Sequence, residues 1–71
     1  MKVNIALLTV TDTRTIDNDK SGAILVKKIE EAKHNLIDRK ICKDNKDDIL
    51  VILKNWLQNN QIDVIITTGG T

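Results

Sequence analysis

The run Thr67-Thr68-Gly69-Gly70-Thr71 follows three apolar residues, 64–66. Adjacent glycines let backbone N–H groups turn toward an anion, because no Cβ stands in the way. Threonine hydroxyls add donors for phosphate oxygens. The run is not a Walker loop, since no Gly-Lys-Ser/Thr follows. On this motif alone, an anion-binding loop and a strand-to-helix turn that needs glycine for its geometry are equally good interpretations.

A second polar segment, residues 9–15 (TVTDTRT), alternates hydroxyl side chains around one guanidinium group. Arg14 could pair bidentately with a phosphate, and Thr11, Asp12 and Thr13 precede it directly. Taken alone, the segment is better interpreted as a solvated loop with local turns. It also resembles the phosphate loop of flavodoxins, but the chain has one aromatic residue, Trp56, with which to flank a flavin.

Asp44 is the third candidate, at the start of a predicted helix. Its carboxylate could cap that helix, and it could also hold Mg²⁺ beside a substrate phosphate. The remaining side chains of interest have simpler interpretations. We expect Asp17 and Asp19 to be solvated loop residues, His34 to be exposed or to act as a helix C-terminal charge, Cys42 to be a small strand residue, and Trp56 to lie in the core.

The apolar pattern that must position these residues predicts three strands, at residues 3–10, 36–43 and 62–68. Two predicted helices separate them. The first begins at an N-cap at Ser21 and stops at Asn35, with Ile24, Leu25, Ile29 and Ala32 on one face. The second runs from an N-cap at Asp44 to Asn59-Asn60, with an apolar stripe of Ile49, Leu50, Leu53, Trp56 and Leu57.

The element order is therefore β-α-β-α-β, which predicts an α/β layer fold with a parallel sheet and right-handed connections. Ligands of such sheets bind beyond the carboxyl ends of the strands. Three polar segments are predicted to meet there: residues 11–20, the turn around Asp44, and residues 67–71.

Composition excludes several other classes of protein. The 71 residues are at most one small domain, and 11 Lys+Arg against 10 Asp+Glu give a net charge of +1. Neither the charge nor the aromatic content of 1% is typical of a nucleic-acid-binding protein. The longest apolar run, residues 49–53, is far shorter than the ~20 residues of a membrane span. A lone cysteine and no signal peptide predict a cytoplasmic protein.

Three stretches in this order resemble the molybdenum cofactor biosynthesis protein B family, a relative of the molybdopterin adenylyltransferases and the gephyrin G domain. They are LTVTDTRTIDNDKSG (residues 8–22), IDRKICKDN (37–45) and VIITTGGT (64–71). The resemblance implies a three-layer α/β fold and assembly as a homotrimer or homohexamer. It also implies a pterin ligand, which is molybdopterin or its adenylate. For adenylylating members it also implies ATP and Mg²⁺. It implies that Asp44 is the metal-associated catalytic residue and that the ligand-binding residues are Thr11, Asp12, Thr13, Arg14, Ser21, Gly22, Thr67, Thr68, Gly69, Gly70 and Thr71.

In that family the glycine-rich loop continues past the position of Thr71. Residues 1–71 are therefore expected to be the N-terminal part of a single molybdopterin-binding domain, truncated and inactive alone. Two alternatives stay open at this point. One is a non-catalytic flavodoxin-like or receiver-like module that binds a phosphate or a partner. The other is a gene remnant without activity.

Overall fold

The computed structural model describes residues 2–13 and 15–69, with Ile16 described in its backbone alone. It confirms the β-α-β-α-β order and adds a short 3₁₀ helix, Ile16–Asn18, in the first loop. The regular elements are β1 (Asn4–Val10), α1 (Lys20–Glu31), β2 (Asn35–Cys42), α2 (Lys46–Leu57) and β3 (Val64–Gly69).

The three strands form a parallel sheet in the order β2-β1-β3. The chain steps from β1 to β2 on one side and then crosses to β3 on the other. With right-handed connections, this reversal places α1 and α2 on opposite faces of the sheet. The central strand β1 is then covered on both faces, which explains its nearly continuous apolar sequence.

Side chains of β1 alternate between two apolar layers. Ala6, Leu8 and Val10 join Trp56 of α2 in one cluster. Residues packed against that cluster are Cys42, Ile49, Ile52, Leu53, Ile62 and Ile65. Ile5, Leu7 and Thr9 belong to the opposite face, that of α1. The expected core position of Trp56 is confirmed, and its Nε1–H donates to Asp38 Oδ2 over 3.0 Å.

The predicted apolar stripe of α2 is partly wrong. Leu50 is 40% exposed and Leu57 is 75% exposed, whereas Ile52 packs against the core. The stripe that faces the sheet is instead Ile49, Ile52, Leu53 and Trp56, at positions i, i+3, i+4 and i+7.

On α1, the predicted face is also partly wrong. Ile29 is buried, but Ile24 is 56% exposed and Ala32 is exposed. The helix stops at Glu31, before the expected Asn35, because Lys33 takes a positive φ of 65° and Asn35 already belongs to β2. His34 is half-buried, not exposed, and its Nδ1 accepts from the Val3 N–H over 3.1 Å.

Both predicted helix caps are wrong by one or two residues. Asp19, not Ser21, caps α1, and its side chain accepts from the Gly22 N–H. Asn45, not Asp44, caps α2, with its side chain accepting from the N–H groups of Asp47 and Asp48. A cap must lie just before the first helical residue, so each error follows from starting the helix too late or too early.

No helix in residues 2–13 and 15–69 is long and apolar enough to cross a membrane.

Candidate ligand-binding edge

The carboxyl ends of β1 and β3 lie side by side at the point where the strand order reverses. Thr9 pairs with Thr68, and Val10 pairs with Gly69. The first loop begins at the next residue, Thr11. Two of the three predicted segments are therefore neighbours as far as the structure describes them. Arg14, Gly70 and Thr71 lie outside the described residues.

Gly69 is required by backbone geometry. Its φ is +95°, a conformation that L side chains rarely adopt. A Cβ at this position would overlap the carbonyl oxygen of Val10 and would lie 3.2 Å from the Val10 nitrogen. The interpretation of this glycine as a geometric necessity is thus supported, and it is compatible with the anion-binding interpretation of residues 67–71.

The first loop is tied to the end of β2. The Thr11 N–H donates to the Cys42 carbonyl over 2.8 Å, and the Asp44 N–H donates to Asp12 Oδ1 over 3.1 Å. The Thr11 hydroxyl accepts from the Thr13 N–H over 3.3 Å and keeps its own proton for donation. Asp12 therefore holds two loops together, which is a role that sequence reasoning did not assign to it.

Asp44 follows the end of β2 and is exposed. Its contact with Asp12 brings the third predicted segment beside the first, as the sequence predicts. In the part of the chain that the structure describes, no group of three or more His, Cys, Asp or Glu side chains could hold a metal ion. Mg²⁺ is usually bound by one or two carboxylates together with substrate phosphates. The carboxylates of Asp12 and Asp44 at this edge fit a site that substrate phosphates complete, and they do not fit a site that the protein alone supplies.

The expectation that Asp19 is a solvated loop residue is wrong, because its carboxylate is buried at the N-cap of α1. It is 2% exposed, and the Thr9 hydroxyl donates to its Oδ2 over 2.6 Å. The Gly22 N–H donates to Oδ1 over 3.1 Å, and Arg39 Nη2 lies 3.4 Å from Oδ2. Burial acts to raise the pKa of Asp19, but these hydrogen bonds and the Arg39 charge outweigh burial, so the pKa is lower than usual.

Gly22 provides the space that Asp19 occupies. A Cβ at position 22 would overlap Asp19 Oδ2 and would lie 2.9 Å from Arg39 Nη2. Ser21, in the first turn of α1, is exposed. The sequence carried a signal for this arrangement: a threonine, Thr9, interrupts the buried strand, and an aspartate stands three residues before a glycine.

Cys42 is confirmed as a small strand residue. Burial, followed by the charges of Asp48 and Asp44, raises the pKa of its thiol. Because the thiolate is the nucleophilic form, Cys42 is poorly suited to catalysis.

An open parallel sheet with helices on both faces defines the class of doubly wound α/β domains, whose ligands bind beyond the carboxyl ends of the strands at the reversal point. A family model described as "Probable molybdopterin binding domain" matches residues 6–71. The chain belongs to this family.

Individual relatives agree with the family match. Molybdenum cofactor biosynthesis protein B of Staphylococcus epidermidis is 47% identical over 73 residues, covering 97% of this chain and 41% of that protein. The Escherichia coli K12 protein of the same name is 36% identical, covering 94% of this chain and 39% of that protein. A crystal structure of molybdenum cofactor biosynthesis protein B superposes with a TM-score of 0.92 at 35% identity and covers all of this chain and 44% of that one. The chain thus spans about two fifths of the length of these relatives.

Proposed function

We propose that this chain contributes to a molybdopterin-binding site in molybdenum cofactor biosynthesis, with the phosphate of the pterin ligand at the edge formed by β1 and β3. The observation that supports this most is the pairing of Thr9 with Thr68 and of Val10 with Gly69 in a chain of the molybdopterin-binding family. That pairing brings the hydroxyl-rich start of the first loop beside the glycine-rich end of β3.

The ligand contacts follow from the chemistry of each group. Hydroxyl and backbone N–H donors suit phosphate oxygens, and a guanidinium adds charge. Ser21 lies in the first turn of α1, where the helix dipole also favours an anion. The proposed ligand-binding residues are Thr11, Asp12, Thr13, Arg14, Ser21, Gly22, Thr67, Thr68, Gly69, Gly70 and Thr71.

A finer part of the proposal concerns adenylylation. In a protein with the length of the relatives, Asp44, beside Asp12, would hold Mg²⁺ together with phosphates of ATP. The ion, when bound, would neutralise phosphate charge during nucleotidyl transfer. The Asp12 side chain, which accepts from the Asp44 N–H, would keep the Asp44 backbone beside the first loop. We also propose that the assembled protein is a homotrimer or homohexamer.

Binding is tested with the chain itself and with a chimera in which residues 1–71 continue into the remaining part of the Staphylococcus epidermidis relative. Arg14→Ala should weaken molybdopterin binding by about 1.5–3 kcal/mol, or roughly ten- to hundredfold, as expected for a charge-assisted hydrogen bond. Lys27→Ala, which removes an exposed cation from the second half of α1, away from the carboxyl edge of the sheet, is the matched control and should leave the dissociation constant unchanged.

Three outcomes would contradict parts of the proposal. If the unsubstituted chimera binds neither molybdopterin nor its adenylate, the proposed ligand is wrong. If it binds flavin mononucleotide instead and quenches its fluorescence, a flavodoxin-like site is the better description. If it binds molybdopterin but never consumes ATP, the adenylylation part fails and the binding part stands.

A further inference from the structure

A buried contact closes the loop between β1 and α1 at its base. Thr9 is the penultimate residue of β1 and Asp19 is the residue before α1. The 2.6 Å hydrogen bond from the Thr9 hydroxyl to Asp19 Oδ2 therefore joins the two ends of the loop. Because the ends are joined, the span available to residues 11–18 is fixed.

Arg39 of β2 anchors this closure to the sheet. Its Nη2 lies 3.4 Å from both Oδ2 and the backbone carbonyl oxygen of Asp19. The side chain of Asp19 is 1% exposed and that of Arg39 is 20% exposed. A charged pair this poorly solvated is a weak source of net stability, because the cost of removing the charges from water offsets their attraction. Removing one partner alone leaves the other charge without its counter-ion and lowers the free energy of unfolding, so a specific effect on the loop must exceed the global effect.

Other contacts hold the opposite side of the same loop. Thr11 is bonded to the Cys42 carbonyl, and Asp12 is bonded to the Asp44 N–H. The start of the loop is thus fixed to the last residue of β2 by a backbone hydrogen bond and to the turn after β2 by a side-chain hydrogen bond. Its end is fixed by Asp19, and the Asp19 side chain fits there only because Gly22 carries no side chain.

We propose that Asp19, which is buried, and Arg39, which is half-buried, are positioning residues for the phosphate-bearing ligand: they hold residues 11–13 and 15–18 in the conformation that presents the donors of the loop to the ligand. The inference rests on the proposed function for its ligand. Neither residue is expected to touch that ligand, because the Asp19 carboxylate is enclosed by Thr9, Gly22 and Arg39.

The test separates local order from global stability. Asp19→Asn keeps an oxygen for the Gly22 N–H but places an amide, in place of a carboxylate, against Arg39. Backbone hydrogen exchange of residues 11–18, measured in the chain and in the chimera, should accelerate at least tenfold more than exchange at Leu7 and Leu8. The molybdopterin dissociation constant of the chimera should rise about tenfold or more, the size expected when a charge-assisted hydrogen bond is lost.

A double-mutant cycle then identifies the pair. Arg39→Met should act in the same direction as Asp19→Asn, and the effect of the double variant should be smaller than the sum of the two single effects, because the two side chains share a contact. Glu30→Gln, at an exposed carboxylate on α1 outside the loop, is the matched control. It should change neither loop exchange nor the dissociation constant.

If Asp19→Asn does not fold, Thr9→Val is measured in its place. It removes the hydrogen bond to Asp19 and keeps a side chain of similar volume. The inference is overturned if, with or without molybdopterin, these variants accelerate exchange of residues 11–18 only as much as exchange at Leu7 and Leu8. It is also overturned if loop exchange rises while the dissociation constant keeps its unsubstituted value. Absence of molybdopterin binding in the unsubstituted chimera overturns the proposed function instead.

Discussion

At the residue scale, the charge of Asp19 should appear in the pH dependence of stability. Its pKa in the folded chain is below the usual 3.8, so the unfolded chain binds a proton more readily than the folded chain. The stabilisation is therefore complete above about pH 4 and is lost as pH falls through the lowered pKa. Urea unfolding followed by Trp56 fluorescence should show this loss, with up to about 1.4 kcal/mol per pH unit from one such group.

Two variants, measured at the same protein concentration, test whether this loss of stability comes from Asp19. Asp19→Asn should flatten the acid limb of the stability profile, whereas Asp17→Asn, which changes an exposed carboxylate, should keep the full slope. An unchanged slope in Asp19→Asn would show that other carboxylates cause the acid sensitivity.

Asp19 also shows where residue-level reasoning from sequence reached its limit. An aspartate in the segment DNDK looks solvated, because its immediate neighbours are polar. Its burial depends on Arg39, which lies twenty residues further along the chain, and on Thr9, which lies ten residues before it. Thr9 within the apolar strand and the spacing of Asp19 and Gly22 are the sequence signals of this arrangement, but the contact with Arg39 depends on tertiary packing and has none. Trp56 and Cys42, whose settings follow from local apolar patterns, were predicted correctly.

At the scale of the element, the structure shows which of two neighbouring residues, Asp44 or Asn45, caps α2. The sequence alone led to the wrong choice. Asn45→Ala should lower the free energy of unfolding by about 1 kcal/mol, because the Asp47 and Asp48 N–H groups lose their acceptor. Asp44→Ala leaves that cap in place and should cost less than about 0.5 kcal/mol, like other exposed substitutions. Urea unfolding of both variants, followed by Trp56, measures the difference.

Equal costs for the two variants, or a larger cost for Asp44→Ala, would contradict the assignment of Asn45 as the cap. Because Asp44→Ala should lower the free energy of unfolding only slightly, the variant can also test the proposed catalytic role of Asp44. Loss of ATP consumption in a chimera that carries this change, with stability retained, would then report on the proposed Mg²⁺ site and not on folding.

Element order and strand direction followed from the sequence because they depend on long apolar patterns. All three strands lie within two residues of their predicted bounds. The helix faces were harder to predict, since α2 is apolar around much of its circumference. Leu50 and Leu57 extend a stripe as well as Ile52 does, and only the position of the sheet decides which of them is buried. The predicted clustering at the carboxyl edge followed from parallel topology.

At the scale of the whole molecule, apolar surface remains exposed where the described residues form no further layer. Leu50 and Leu57 lie seven residues apart and so on the same side of α2, next to the stripe that packs on the sheet. β3 lies at one edge of the three-stranded sheet, with Val64 40% exposed. Exposed apolar patches and unpaired strand edges both favour association between chains.

We therefore expect the 71-residue chain to self-associate, with a sedimentation coefficient that rises with concentration over the micromolar range. Leu50→Gln combined with Leu57→Gln should shift the chain toward monomer, because it removes the larger apolar patch of α2. Ile24→Gln, which changes an isolated exposed residue on α1, is the matched control and should leave association unchanged. A sedimentation coefficient that keeps the monomer value across this range would contradict this expectation, because it would mean that the β3 edge and the α2 patch are tolerated in water without a covering partner.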